Sequence, residues 1–197
     1  FRLLENPHGG KPWAVWHGIQ AARGEIVLFS DMDQSTPIDQ LALLLPLFAK
    51  GYDVVIGSRG MARENYPLYR RIGSSIFRSF RRLFLLRRIS DTQCGFKALR
   101  RSVALEIFPQ LEAIQKPVRV TGWKVTAFDV ELLYLVERAG YRLGEVPVAW
   151  ANRDVATGKR KSYLAESKEM AEQVLRIKIN AWRGVYRAAK GGPCHRS

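Results

Sequence analysis

The 197-residue sequence has no run of eighteen or more consecutive apolar residues, the length a helix needs to cross a bilayer. No segment therefore reads as a transmembrane span. The N-terminus lacks the basic start and apolar stretch of a signal peptide, which makes a cytosolic location the expectation. Cysteine is scarce: Cys94 and Cys194 are too few for a disulfide framework and lack metal-ligand spacing. His8, His17 and His195 form no constellation, so zinc is not expected. Carboxylates are outnumbered, with 18 Asp and Glu against 32 Lys and Arg, for a net charge of +14. The deficit is local. Arg59 to Arg101 holds twelve basic residues and two acidic, Arg153 to Ser197 eleven and four, and the remainder nine and twelve. Such charge attracts nucleic acid, anionic headgroups and phosphate substrates alike, so by itself it does not choose among them.

What is present is a hydrophobic content of 47%, enough for one core and one domain. The patterning predicts helices over Trp13 to Ala22 and Pro37 to Lys50, and buried strands over Ile26 to Ser30 and Asp53 to Gly57. Further on it predicts a helix over Phe128 to Ala139, a strand over Leu143 to Trp150, and a long helix from about Leu164 to Ala189. Alternating helices and continuous apolar strands argue for an α/β fold with a mostly parallel sheet. Ligands of such sheets sit at the carboxyl ends of strands. Asp31-Met-Asp33 lies at one such end and Ser58-Arg59 at another. Carboxylates at i and i+2 on an extended strand share one side of the pleat, where they can hold a divalent cation against a diphosphate. The plainer reading is a strand end followed by a helix start at Ser35-Thr36-Pro37.

Pro67 to Leu86 reads as a two-sided helix. Leu68, Ile72, Ile76, Phe80, Leu83 and Phe84 fill one half of its wheel, with Arg70, Arg71, Arg78, Arg81 and Arg82 opposite. That pattern suits a helix lying in a membrane interface, and equally a core-packed helix with a solvated basic face. Cys94 reads as a small packed residue rather than a nucleophile, since no His is near it in sequence.

Several blocks follow one another in order. They are Asn6-Pro-His-Gly-Gly-Lys11, Ala21-Ala-Arg-Gly-Glu25, Asp31-Met-Asp33, Asp53-Val-Val-Ile-Gly-Ser-Arg59, Asp91-Thr-Gln-Cys-Gly-Phe-Lys97, Phe128-Asp-Val-Glu-Leu-Leu133 and Gly144-Glu-Val-Pro-Val-Ala-Trp150. From about Asn6 to Lys178 the succession resembles the inverting family 2 glycosyltransferases, closest to the dolichyl- or polyprenyl-phosphate glucosyl- and mannosyltransferase branch. The resemblance implies a GT-A (Rossmann-like) nucleotide-sugar-binding fold. It implies a catalytic domain over residues 1–163, followed by a basic amphipathic helix and polar tail over 164–197. Family members begin with a hydrophobic strand that this sequence lacks, so the expectation is a fragment without its first strand or strands. A second departure is Gly10-Lys11-Pro12-Trp13 where the family has Gly-Lys-Gly, with Trp16 near a family Arg; proline removes an N–H that could serve a phosphate.

The implied reaction moves a hexose, glucose from UDP-glucose or else mannose from GDP-mannose, onto polyprenyl or dolichyl phosphate at the cytosolic face of a membrane. The resemblance favours the membrane reading of the two-sided helix over Pro67 to Leu86, the basic amphipathic helix through which the membrane surface is expected to be met. The implied metal is Mg²⁺ or Mn²⁺, with Asp33 a direct ligand and Asp31 reaching the metal through water, or the ribose, or both; Ser35 stands where relatives can have a third ligand. Lys11 joins Asp31 and Asp33 in the donor site. Arg59, Arg70 and Arg71 match positions implicated in phosphate binding, and Lys161 and Ser162 belong to a loop resembling the family's phosphate-closing loop. Asp129 and Glu131 are the acidic candidates for a base or acceptor-orienting group, and i, i+2 on a helix they do not face one way. Asp91 is a further catalytic candidate or a residue that orders its loop. A lipid phosphate is already anionic, so this transfer needs no base. A rival transfer to a sugar hydroxyl does need one. A basic nucleic-acid-binding module is favoured by charge alone, since the aromatic residues do not interleave with the basic ones in a stacking pattern. An inactive fragment is the remaining alternative.

Overall fold

The computed structural model describes residues 2–59, 89–116, 128–151 and 163–186, the backbone alone at 163–171 and 173. In chain order the elements are α1 (Gly10–Ala21), β1 (Ile26–Phe29), a 3-10 turn Ile38–Gln40, α2 (Leu41–Ala49), β2 (Val54–Ser58) and β3 (Lys97–Arg100). They continue with α3 (Arg101–Ile107), a 3-10 turn Phe108–Gln110, α4 (Glu112–Gln115), α5 (Phe128–Arg138), β4 (Leu143–Pro147) and α6 (Tyr163–Trp182). The helix expected over 67–86 lies outside the described residues.

The four strands form one sheet in the order β1-β3-β2-β4. β2 pairs with β4 in parallel, with Val54 opposite Leu143 and Ser58 opposite Pro147. β3 runs antiparallel to both β1 and β2, and Lys97 faces Phe29 on one side and Ile56 on the other. Three of these strands share a direction, but the antiparallel β3 sits between β1 and β2, so among the described residues one pairing is parallel and two are antiparallel, a mixed sheet where a mostly parallel one was expected. β3 was missed because Lys-Ala-Leu-Arg is short, half charged and free of β-branched residues, the composition least like a buried strand.

Every residue of β2 is buried, so both faces of the sheet are covered. On one face Val54, Ile56, Val27, Phe29 and Leu99 meet α1, α3, α5 and α6 through Ile19, Val103, Ile107, Leu132, Leu133, Val174 and Ile177. On the other, Val55, Phe96, Ala98 and Val148 pack against Leu44 and Phe48 of α2. The alternation of Val54, Val55 and Ile56 between the two clusters follows from the two-residue period of a strand. Two helices are stopped by the same device. Gly51 (φ +81°) and Gly140 (φ +82°) take the left-handed conformation after α2 and α5. Around them Gly51 and Tyr52 donate to the carbonyls of Phe48 and Leu47, and Gly140 and Tyr141 to those of Glu137 and Val136. These paired bonds satisfy the orphan carbonyls of each helix end and turn the chain into β2 and β4.

Candidate active site

The sheet topology gathers one edge. The carboxyl ends of β1, β2 and β4 and the amino end of the antiparallel β3 point the same way. The segments that meet there are Ser30–Ser35, Arg59, Asp91–Phe96 and Val148–Ala151. Ala151 N–H donates to the Ser35 carbonyl at 2.9 Å, and Ala149 N–H to Gln40 Oε1 at 2.9 Å. These bonds tie the loop after β4 to the one after β1.

β1 ends at Phe29, two residues before Asp31, so pleat alternation does not orient the carboxylates as expected. A turn does. Gln34 N–H donates to the Asp31 carbonyl and Gln34 adopts φ 49°, a left-handed value uncommon outside glycine. Asp33 accepts from Ser35 N–H through Oδ1 at 2.9 Å and from Ser35 Oγ through Oδ2 at 2.7 Å. Ser35 is buried, and its hydroxyl orients Asp33. Met32, between the two aspartates, is fully exposed.

Lys11 rises from the first turn of α1, where the missing N–H of Pro12 costs the helix nothing. Its Nζ lies 2.6 Å from Asp31 Oδ1 and 5.8 Å from the centre of the Phe128 ring. Burial works against its charge, yet Asp129, Asp31 and Asp33 together outweigh this and raise its pKa. The ammonium therefore stays protonated at neutral pH. Trp16 stacks on Phe108, with ring centres 6.0 Å apart, and is part of the packing between α1 and the core.

Gly95 lets the loops meet as they do, because a Cβ there would displace the Asp31 carboxylate from its present position. Two residues on, Lys97 is fully buried; its Nζ donates to Asp129 Oδ1 at 2.7 Å and to the Cys94 carbonyl. A buried lysine needs such a partner. Asp129 is thereby engaged on the site side of α5. Glu131 is turned elsewhere: its Oε1 accepts from Glu112 N–H at 3.0 Å and Tyr186 Oη at 2.9 Å. Burial pushes its carboxyl pKa up.

Arg59 and Asp91 form a two-pronged pair, with Nε to Oδ2 and Nη2 to Oδ1 both at 2.7 Å. Arg59 N–H adds a bond to Oδ2 at 3.0 Å. Burial would raise the Asp91 pKa, but Arg59 more than offsets this and holds it at about 2. The Trp150 ring lies 5.5 Å from the Arg59 guanidinium. Glu145 of β4 anchors the same loop, accepting from Ser90 N–H, Ser90 Oγ and Asp91 N–H at 2.7 to 2.8 Å. Cys94 is buried with Sγ 4.0 Å from Thr36 Oγ1, and burial raises its thiol pKa.

The edge thus brings together Lys11, Asp31, Asp33, Arg59, Asp91 and Asp129, and separates Glu131 from them. Arg70, Arg71, Lys161 and Ser162 lie outside the described residues. Lys97, Gly95 and Glu145 were not singled out from sequence; the lysine closing the Cys-Gly-Phe turn was the available signal for the first. Among the described residues no group of three or more His, Cys, Asp or Glu could hold a metal by itself. Asp31 and Asp33 supply carboxylate oxygens, the donor type Mg²⁺ and Mn²⁺ take, and two such ligands suffice where substrate phosphates complete the shell.

Residues 1–108 match the family model described as glycosyl transferase family 2. The chain belongs to this family. Among curated relatives, the dolichyl-phosphate beta-glucosyltransferase of Saccharomyces cerevisiae is 30% identical over 207 residues, covering 96% of this chain and 58% of its own length. The enzyme of that name from Drosophila melanogaster is 34% identical over 195 residues, covering 92% of this chain and 55% of its own length. The family 2 chain therefore spans somewhat more than half the length of these relatives. Glucosyl-3-phosphoglycerate synthase from Mycobacterium tuberculosis, solved with phosphoglyceric acid, superposes with a TM-score of 0.54 at 18% identity, covering 90% of this chain and 56% of that one. Mannosyl-3-phosphoglycerate synthase from Rubrobacter xylanophilus gives a TM-score of 0.51 at 14% identity, covering 91% and 53%. At these identities the structural likeness shows the GT-A fold.

Proposed function

We propose that this family 2 chain is the catalytic part of an inverting hexosyltransferase that moves glucose from UDP-glucose to a polyprenyl phosphate of the dolichyl type. It works peripherally on the cytosolic face of a membrane; among the described residues no helix is long and apolar enough to cross one. The observation that carries the reading is the set of charges at one sheet edge: two aspartates on a turn, a lysine ion-paired to the first, and an oriented arginine. The names of the curated relatives favour glucose over mannose and a lipid phosphate over a sugar hydroxyl.

Asp33, with Asp31 beside it, would hold Mg²⁺ or Mn²⁺, which supplies positive charge against the departing diphosphate. Ser35 fixes the direction in which Asp33 presents its oxygens. Lys11 adds a second cation at the donor, and Gly95 leaves room for Asp31 to stay there. Arg59, aimed by Asp91 and Trp150, offers its guanidinium to a phosphate at the end of β2. Arg70, Arg71, Lys161 and Ser162 are proposed as further phosphate contacts on the strength of the family resemblance.

In the reaction an acceptor phosphate oxygen bonds to the anomeric carbon while the bond from that carbon to the diphosphate oxygen breaks, its electron pair leaving with the nucleotide. No proton has to be removed, so positioning and charge dominate. This agrees with Asp129 being engaged by Lys97 and Glu131 facing the core. The test is transfer of labelled hexose into an organic-extractable lipid by this chain with Mn²⁺, polyprenyl phosphate and either UDP-glucose or GDP-mannose. Metal-dependent product from UDP-glucose, lost in Asp33→Asn, is expected. Product unaffected by Asp33→Asn would overturn the metal assignment.

A further inference from the structure

The inner and outer faces of α6 differ in a way that the transfer reaction does not use. Inward, Val174 and Ile177, with Tyr186 just past the helix, are buried in the main core cluster. Outward, Leu175, Ile179 and Trp182 are 61%, 37% and 89% exposed. Their spacing of i, i+4 and i+7 aligns them in one stripe along the helix. Val185, 40% exposed, follows just beyond it. Since the inner face already supplies the packing, the outer stripe is not needed to hold the helix in place.

What flanks the stripe decides its occupant. At 100° per residue Lys178, whose ammonium also lies 5.7 Å from the centre of the Tyr134 ring, falls on one side of it and Arg176 and Arg183 on the other, where Glu172 stands one turn before Arg176; all four are exposed. From Gln173 to Ser197 the chain has six basic residues and no acidic one. We infer that this outer stripe of α6 docks on an anionic lipid surface, with Leu175, Ile179 and Trp182 in the headgroup–acyl boundary and Lys178, Arg176 and Arg183 against lipid phosphates. Apolar residues between margins that carry three basic residues, with the acidic Glu172 a turn before them, match that layered environment, and tryptophan is favoured at its boundary. A second copy of the chain fits less well. Four apolar side chains fall far short of the roughly 800 Å² per partner of a stable interface, and pairing two such stripes would oppose like charges.

The surface is distinct from the arginine-rich segment 67–86 and does not depend on the proposed reaction. The test is flotation of the full chain with vesicles of phosphatidylcholine alone or mixed with phosphatidylserine, without nucleotide sugar or polyprenyl phosphate. Binding to the mixed vesicles only, weakening with added salt, is expected. The triple variant Leu175→Asn, Ile179→Asn, Trp182→Ser should lower partitioning by roughly tenfold or more, with an unchanged far-ultraviolet spectrum. Lys178→Glu with Arg183→Glu, which leaves the apolar stripe intact, should weaken binding to the mixed vesicles too. Wild-type binding that is absent or equal on both vesicle types would overturn the inference. So would triple-variant binding equal to wild type, or a wild-type dimer in sedimentation velocity that the triple variant dissolves.

Discussion

Two ion pairs stand at the same edge of the sheet and are built differently. Lys11 and Asp31 meet through one contact, with side chains 41% and 43% exposed. Arg59 and Asp91 are 16% and 12% exposed and share two side-chain bonds and a backbone N–H. An exposed single contact is worth little and can trade partners with an arriving ligand. A largely buried fork leaves uncompensated charge if either member is lost. The β1 side of the edge is therefore suited to exchange, and the β2 side to holding the shape against which exchange happens. The sharpest test on the β1 side is Asp33→Asn, expected to lower lipid-linked product by about 100- to 1000-fold, the scale of losing a main electrostatic contact to developing charge. Thermal stability should hardly change, because Asn can still accept from Ser35. An equal loss of stability and activity would erase the contrast between the two sides.

Asp91→Ala should instead cost stability first, and transfer as well, because Asp91 aims Arg59. With Arg59 stripped of its two-pronged carboxylate partner in a mostly buried place, a stability loss of about 3 kcal/mol is expected from chemical denaturation. The pH dependence gives the same assignment independently. The folded pKa of Asp91 is depressed from 3.8 to about 2, so its stabilisation is complete above about pH 4 and is lost as pH falls toward 2. That contribution is about 2 kcal/mol. Wild type should lose stability faster than Asp91→Asn across that window, and parallel curves would mean the pair contributes nothing to the fold.

Gly95→Ala joins the two sides. Its Cβ would meet the Asp31 carboxylate, so either that side chain moves off Lys11 or the loop from Asp91 shifts. Transfer should fall by about tenfold, with a stability cost of about 1 kcal/mol. Full activity would show that the position of Asp31 is not critical.

The sequence reading reached the parallel pair β2 and β4, the helices over Leu41–Ala49 and Phe128–Arg138, and the aspartates at the end of β1, because periodicity and turn residues report local structure. It missed β3, and with it the reason the edge assembles. Lys97 can be buried in a strand only because Asp129, thirty-two residues away in sequence, neutralises it. Such a partnership leaves no local trace. For the same reason spacing could say that Asp129 and Glu131 face apart but not which faces the site. That depends on Lys97 on one side of α5 and on Glu112 and Tyr186 on the other.

Glu131 makes the smallest prediction and the most discriminating between these carboxylates. Burial raises its pKa, so its favourable contribution is the protonated form's, fully present below the unfolded value and lost as pH rises through the folded one. Its ionised form is held at a cost that Glu112 N–H and Tyr186 Oη only partly offset. Glu131→Gln keeps an acceptor for both donors and removes the charge. It should leave stability at neutral pH unchanged or raise it by up to about 1 kcal/mol, with transfer unaffected. Asp129→Asn instead strips the buried Lys97 of its counterion and one of the charges that keeps Lys11 protonated, so both stability and transfer should drop. If Glu131→Gln abolished transfer in a folded protein, the buried carboxylate would have to reach the substrate, and the division of α5 into a site side and a core side would fail.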